Sequence, residues 1–320
     1  MFEDIKDKVN RGIALTKQEA LFLLGIENTS EDFYKLLSCA NELSRKQYNS
    51  RGYIFVQMGI NSAPCSGNCK FCSLANDSFV VDTQFEKNLE QVVTEVEAIN
   101  KESFDALFLM TTANYDKEKY IAVSKAVREK LSPDKQLVAN IGDFDIAYAK
   151  RLKAVGFSGV YHVVRLREGI DTDIEKETRI NTLEAIKNAG LELYYCIEPI
   201  SREHTHDEIV DEMIRARDLN VNIMAVMGLV GVPGTPLEES AGLSELELTK
   251  IVAVTRLVTN PQKSMNIHEP MTMPLLAGVN QLYAEYGVNP RDTYSITDNN
   301  RGYNIQNVKK MLLDAEYRVS

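Results

Sequence analysis

From residue 53 onward the chain alternates short apolar runs with amphipathic stretches, a rhythm that few folds accommodate. The runs are "YIFVQMGI" (53–60), "DALFLMT" (105–111), "QLVANI" (136–141), "GVYHVV" (159–164), "LELYYCIEPI" (191–200), "NIMAVMGLV" (222–230), "SMNIH" (264–268) and "NQLYAE" (280–285). Between most of them the apolar residues fall at helical spacing, as in "NLEQVVTEVEAINK", "KEKYIAVSKAVREKL", "TLEAIKNAG" and "DEIVDEMIRARDL". Strand–helix alternation implies right-handed βαβ units and a parallel sheet covered on both faces. Eight such units close a barrel. The expected fold is therefore α/β, a (β/α)8 TIM-type barrel. A length of 320 residues with 44% hydrophobic side chains supplies the material for its core.

The flanks frame the barrel. Residues 1–50 read as helices: Thr16 and Glu19 make a capping box before "ALFLLG", and Ser30 caps the next helical stretch. The expected organisation is an N-terminal helical extension over 1–50, the barrel over 51–285 and a C-terminal cap over 286–320, where "NIQNVKKMLLDAEY" reads as a closing helix. The connection "LVGVPGTPLEESAGL" (229–243) is a long loop rich in Gly and Pro after the sixth run. Barrel enzymes place their chemistry on loops at that end of the strands. A net charge of −10 without a Lys/Arg run argues against a nucleic-acid partner. The start, "MFEDIKDKVNRG", lacks the apolar core of a signal peptide, and no stretch reaches the roughly 18 apolar residues of a membrane span. The expectation is a soluble, cytoplasmic protein with no membrane partner.

Three of the five cysteines, Cys65, Cys69 and Cys72, fall within "NSAPCSGNCKFCSLAND", directly after the first run. That is not the pattern of a disulfide framework. A structural zinc site wants a fourth ligand nearby; Cys39 and Cys196 are distant singles, and of the histidines at 162, 204, 206 and 268 only His204 and His206, two apart at a helix start, could chelate, and weakly. Iron–sulfur clusters are held by thiolates, and a cubane held by three leaves one iron open to a small molecule. Zinc and a simple electron-transfer cluster remain the alternatives.

The C-x3-C-x2-C spacing, its place after strand one and Phe71 before the last cysteine resemble the radical S-adenosylmethionine (SAM) superfamily. The resemblance implies a [4Fe–4S] cluster on Cys65, Cys69 and Cys72 whose open iron binds SAM. It further implies that one electron cleaves SAM to methionine and a 5′-deoxyadenosyl radical that abstracts hydrogen from substrate. An electron donor of flavodoxin or ferredoxin type is implied with it. Within the superfamily the chain is most similar to biotin synthase and its relatives, the [FeFe]-hydrogenase maturase and methylornithine synthase. The stretches that carry this are "TRINTLEAIKNAGLEL", "PGTPLEE" and "LLAGVNQLYAEYGVNPRDT…NRGYNIQNVKKMLLDAEY", the last resembling a C-terminal BATS-like region over about 230–320.

The resemblance places Arg179 on the SAM carboxylate, a pairing suited to a guanidinium fork. It places Thr111 and Thr112, with Ala113, where many members carry an acidic motif for the SAM ammonium; the acid is missing here. Phe71, Asn140 and Glu168 complete the expected cofactor contacts, Glu168 on the ribose or the ammonium. On strand five, Glu192, Tyr194, Cys196 and Glu198 share one face by period two. If that face points inward, its carboxylates need partners such as Arg165 or Arg167; if outward, Leu193, Tyr195 and Ile197 fill the interior. Cys196, Glu198 and His268 are the catalytic candidates. Biotin synthase holds a second cluster inside its barrel on cysteines, and the matching positions here, read as Leu109, Val138 and Tyr194, carry none. Two chemistries therefore stay open. Kinship favours cofactor biosynthesis by sulfur insertion and C–S bond formation, with Cys196 anchoring a second iron–sulfur cluster. The cysteine count fits a single-cluster rearrangement or fragmentation of an amino-acid-like substrate. A non-enzymatic cluster scaffold or electron carrier is the alternative of another class.

Overall fold

The computed structural model describes residues 1–240, 242–286 and 303–319. Each apolar run forms a strand: β1 (Tyr53–Gly59), β2 (Ala106–Met110), β3 (Gln136–Asn140), β4 (Gly159–Tyr161), β5 (Glu192–Ile200), β6 (Ile223–Gly228), β7 (Ser264–Ile267) and β8 (Gln281–Glu285). All pair in parallel with their sequence neighbours, and β1 pairs with both β2 and β8, so the barrel closes. Closure leaves no unpaired edge. A short antiparallel pair, Asn61–Ser62 with Phe85–Glu86, brackets the cysteine loop.

Ten helices are described: α1 (Phe2–Asn10), α2 (Lys17–Leu24), α3 (Glu31–Gln47), α4 (Leu89–Ile99), α5 (Lys117–Lys130), α6 (Ile146–Val155), α7 (Lys176–Asn188), α8 (His206–Asp218), α9 (Glu245–Thr259) and α10 (Ile305–Asp314). The Thr16–Glu19 capping box forms, Ser30 caps α3, and Thr205 with Glu208 makes a further box on α8. The N-terminal helices pack on the barrel through α9, where the fully buried Arg256 donates to Ser44 at 2.6 Å and lies over the Tyr48 ring at 5.1 Å. No helix among the described residues is long and apolar enough to cross a membrane. Of the expected C-terminal cap, residues 287–302 lie outside the described residues; so does residue 241 in the loop after β6. The Ala-Gly-Val-Asn turn has a local reason. Gly278 takes φ +96°, and the Asn280 side chain accepts from Met265 N and donates to Arg51 O, both at 2.9 Å. That side chain ties β7 and β8 to the entry of β1.

Alternation along the strands separates an inner from an outer face. Phe55, Phe108, Tyr194 and Tyr283 meet inside, Phe108 lying 5.1 Å from Tyr283 and 5.7 Å from both Phe55 and Tyr194, centroid to centroid. These rings plug the barrel and leave the space above them, at the C-terminal ends of the strands, for a site. The strand-five question is thereby answered. Tyr194 is in the plug, so Glu192, Cys196 and Glu198 face inward with it, whereas the Tyr195 hydroxyl donates outward to Glu212 of α8 at 2.8 Å. One sequence expectation is corrected. On β2 the inward residues are Phe108 and Met110, so Leu109 faces the helices and does not match an interior ligand position.

Candidate active site at the C-terminal end of the barrel

A cavity of about 250 Å³ opens above the aromatic plug. Cys65, Cys69, Phe71 and Cys72 form one wall; Thr111, Thr112, Ala113 and Asn140 form another, and Tyr161, Arg165, Glu198 and His268 line the deeper part.

The cysteine loop folds on itself because its backbone groups pair locally. Cys65 N donates to Leu74 O at 2.7 Å, Asn76 N returns to Cys65 O at 3.0 Å, and Cys72 N reaches Cys69 O at 2.9 Å. The loop is tied to the segment after β4 by Lys70 N to Asp171 O and Asp173 N to Gly67 O, both 2.9 Å. A Cβ on Gly67 would meet Ile174 at 3.1 Å and Cys65 Sγ at 3.6 Å, so a small residue lets the chain pass the thiol. All three cysteines are half-buried and outside any disulfide, and Leu74 N–H points at Cys72 Sγ at 3.4 Å, as suits a thiolate. Burial pushes the Cys69 thiol up to about 12, against the pull of Arg165, and the Cys72 and Cys65 charges add to the rise. Three thiolates side by side therefore need a cationic group to replace their protons. Among the described residues no three His, Cys, Asp or Glu side chains converge on a point suited to a single ion. A structural zinc site takes four protein ligands, whereas a cubane can be held by three thiolates.

The opposite wall starts where β2 ends. Thr112 is locked by Asn61, which donates to its hydroxyl at 2.9 Å and accepts from its N–H at 3.1 Å. The Thr111 hydroxyl is buried and finds no partner among the described residues, so it is free for a ligand. Asn140, at the end of β3, lines the cavity as expected, and its carbonyl accepts from Thr111 N at 3.0 Å. The two strand ends run so close that a Cβ on Gly142 would stand 1.9 Å from Ala113 O.

Arg179 reaches the cavity from α7 but is already engaged. Its Nη1 donates to Asp143 at 3.1 Å and its Nε faces Glu168 at 3.4 Å. Glu168 accepts from Arg165 N at 2.9 Å and Thr172 Oγ1 at 2.6 Å; it stands behind Arg179 and is not among the cavity-lining residues. His162, buried in the wall, places Nε2 3.1 Å from Asp143 Oδ1 but off the line of a formed hydrogen bond. Burial holds His162 below its ordinary value, so it is neutral near pH 7. For Asp143 burial acts upward, but His162, Arg179 and the Thr182 hydroxyl overcome it and hold the carboxyl at about 2.

That depression has a consequence for stability. A carboxylate with a lowered folded-state pKa contributes stability above its unfolded value and loses it as the pH falls through the folded one. Wild-type unfolding free energy is expected to drop as the pH falls from 3.8 toward about 2. Asp143→Asn should flatten this part of the profile in urea titrations, at the cost of lower stability at pH 7. A parallel pair of profiles would contradict the assignment.

Deeper in, Tyr161 donates to Glu198 Oε2 at 2.5 Å, and Arg165 Nε lies 3.4 Å from Glu198 Oε1. Arg165 is thus the expected partner of strand five, whereas Arg167 turns to Glu203 and Glu208 outside. Cys196 is fully buried beside Tyr161 and Glu198; burial, then the Glu198 charge, raises its thiol well above the ordinary range. His268 lines the cavity, 3.1 Å from Gln57 Nε2 through its own Nε2, with its ring 5.0 Å from Tyr283. Sequence reasoning named Cys196, Glu198 and His268 but passed over Tyr161, His162 and Asp143. The inward parity of β4 against Glu198 was the available signal for Tyr161; the approach of Asp143 to Arg179 across 36 residues left none.

A closed parallel barrel thus gathers three thiols, the Thr111 hydroxyl and two arginines around one cavity at its C-terminal end, an arrangement suited to holding a cofactor over a substrate. No family model matches the chain. The chain is 26% identical over 267 residues to the biotin synthase of Clostridioides difficile (strain 630), covering 79% of this chain and 80% of that one. Its fold matches methylornithine synthase with a TM-score of 0.84 at 17% identity, over 99% and 97% of the two chains. It also matches an [FeFe]-hydrogenase maturase with a TM-score of 0.85 at 16% identity, over 99% and 75%. The chain is thus similar to biotin synthases over most of its length and shares the fold of methylornithine synthase and of that maturase.

Proposed function

We propose that Cys65, Cys69 and Cys72 hold a [4Fe–4S] cluster, that SAM binds at its open iron, and that a small polar substrate sits beneath, above the Phe55–Phe108–Tyr194–Tyr283 plug. The three thiols on one loop, facing one cavity with the unpartnered Thr111 hydroxyl across it, are the observation that carries this reading. When bound, this pair of cofactors would supply a one-electron cleavage of SAM and a carbon radical able to take hydrogen from substrate. The chain's own part is to exclude water and to orient. The aromatic plug closes the barrel from below, and a dry, closed cavity prevents side reactions of a reactive intermediate. Tyr161, Glu198 and His268 offer polar contacts to a substrate in the deep part, and Phe71 packs beside the cluster loop. A one-electron donor of flavodoxin or ferredoxin type supplies the reductant by docking over the Cys65–Cys72 loop.

Of the two chemistries, the interior favours the single-cluster one. The inward positions level with the plug on β2, β3 and β5, which match the second-cluster cysteines of biotin synthase, are Phe108, Val138 and Tyr194, none a metal ligand, and Cys196 is the one inward cysteine among the described residues. The conclusion is rearrangement or fragmentation of an amino-acid-like substrate, with C–S bond formation as the second reading, supported by the kinship to biotin synthases. Iron and acid-labile sulfide after anaerobic reconstitution separate them. About four irons per chain in both wild type and Cys196→Ala supports one cluster. Clearly more in wild type, falling in Cys196→Ala, favours sulfur insertion.

A further inference from the structure

Arg165 is the anomaly of the cavity. It lines the cavity together with Cys69 and Glu198. Its Nε is buried without a hydrogen-bond partner, and no acceptor engages the rest of its guanidinium among the described residues. The one ion pair, to Glu198 at 3.4 Å, is longer than the roughly 2.7–2.9 Å of a charge-assisted hydrogen bond. Glu198 is meanwhile committed to the Tyr161 hydroxyl through its other oxygen. Arg179 shares the unmet Nε, 3.4 Å from Glu168, but its Nη1 donates to Asp143 at 3.1 Å, and Arg256 has Ser44, Gln47 and Asn260. The Arg165 side chain is partly buried, its Nε fully so while the rest of the fork opens on the cavity; a desolvated guanidinium N–H is costly unless met, and the planar fork is shaped for a carboxylate.

We propose that Arg165 is the carboxylate site of the cavity and that Arg179, held by Asp143 and Glu168, positions the wall behind it. This departs from the family resemblance, which gives the carboxylate to Arg179, and it rests on the radical SAM reading only for one of its two sources of carboxylate. The ligand is either the amino-acid arm of SAM or a carboxylate-bearing substrate lying beneath it.

Binding to the reconstituted holoenzyme, measured anaerobically by calorimetry, distinguishes these. The probes are SAM, 5′-methylthioadenosine, which lacks the amino-acid arm, and trifluoroacetate followed by fluorine NMR with the nucleoside site filled. If the cofactor arm is the source, Arg165→Gln weakens SAM by about tenfold or more and leaves methylthioadenosine unchanged. Arg165→Lys then recovers part of the loss, since the charge returns without the fork. If the substrate is the source, SAM binds Arg165→Gln as wild type, and the trifluoroacetate line, broadened by wild type, stays sharp with the variant. Arg165→Gln binding both SAM and trifluoroacetate as wild type does would overturn the proposal, as would a loss of both only in Arg179→Gln. A wild type that broadens trifluoroacetate through Arg165 yet never binds SAM would sink the radical SAM reading and leave the carboxylate site standing. Unfolding midpoints of both Arg165 variants, matched to wild type, show that the fold is intact.

Discussion

Cys69→Ala is expected to lower reconstituted iron from about four per chain to near none and to abolish SAM cleavage, whereas Cys39→Ala should change neither. The contrast follows from position. Cys69 lies in the cavity wall within electrostatic reach of Cys65, Cys72 and Arg165, and its burial makes a lone thiolate there unfavourable. Two remaining thiols on a loop held by backbone bonds cannot close a cubane. Cys39 is buried on α3, away from the cavity, and serves packing. Iron and sulfide assays with the visible absorbance of the reconstituted proteins check the result. Full iron in Cys69→Ala would mean that another group ligates.

Phe108→Ala is expected to lower the unfolding free energy by about 3–5 kcal/mol, among the largest costs of any single truncation in this chain. Phe108 is fully buried at the centre of the plug, in ring contact with Phe55, Tyr161, Tyr194 and Tyr283. Its removal leaves a void that four neighbours on four different strands cannot fill together, because each is fixed by its own ladder. The void also opens the floor of the cavity, so water would enter beneath the substrate. Equilibrium urea unfolding measures the first effect. Phe22→Ala, at a site 36% exposed, is the control and should cost about 1 kcal/mol or less. A loss under about 1.5 kcal/mol in Phe108→Ala would mean that the interior is looser than its contacts show.

The barrel was readable because buried parallel strands must be apolar and must be spaced by helices; "QLVANI" and "NIMAVMGLV" have no other use. The cap at Thr16 was readable because capping is local. The cysteine loop was readable because three thiols at that spacing have few chemical uses. What the chain did not disclose was long-range. Period two put Glu192, Tyr194, Cys196 and Glu198 on one face but could not say which way it pointed; the Tyr194 ring packed on Phe55 and Phe108 decides it. The same limit shifted the interior position on β2 from Phe108 to Leu109. Glu168 looked like a ligand contact, yet Arg165 N, Thr172 and Arg179 hold it behind the wall. Partner choice among Arg165, Arg167 and Arg179 depends on which carboxylates the barrel brings near, and nothing in the local sequence encodes that.

The central claim is that this site cleaves SAM by one-electron reduction. The direct measurement is 5′-deoxyadenosine and methionine formed from SAM by the reconstituted wild type with dithionite under anaerobic conditions, with Cys69→Ala in parallel. The account predicts both products in equal amounts from wild type and neither from the variant. Intact SAM after incubation with a wild type that carries its full complement of iron would contradict it.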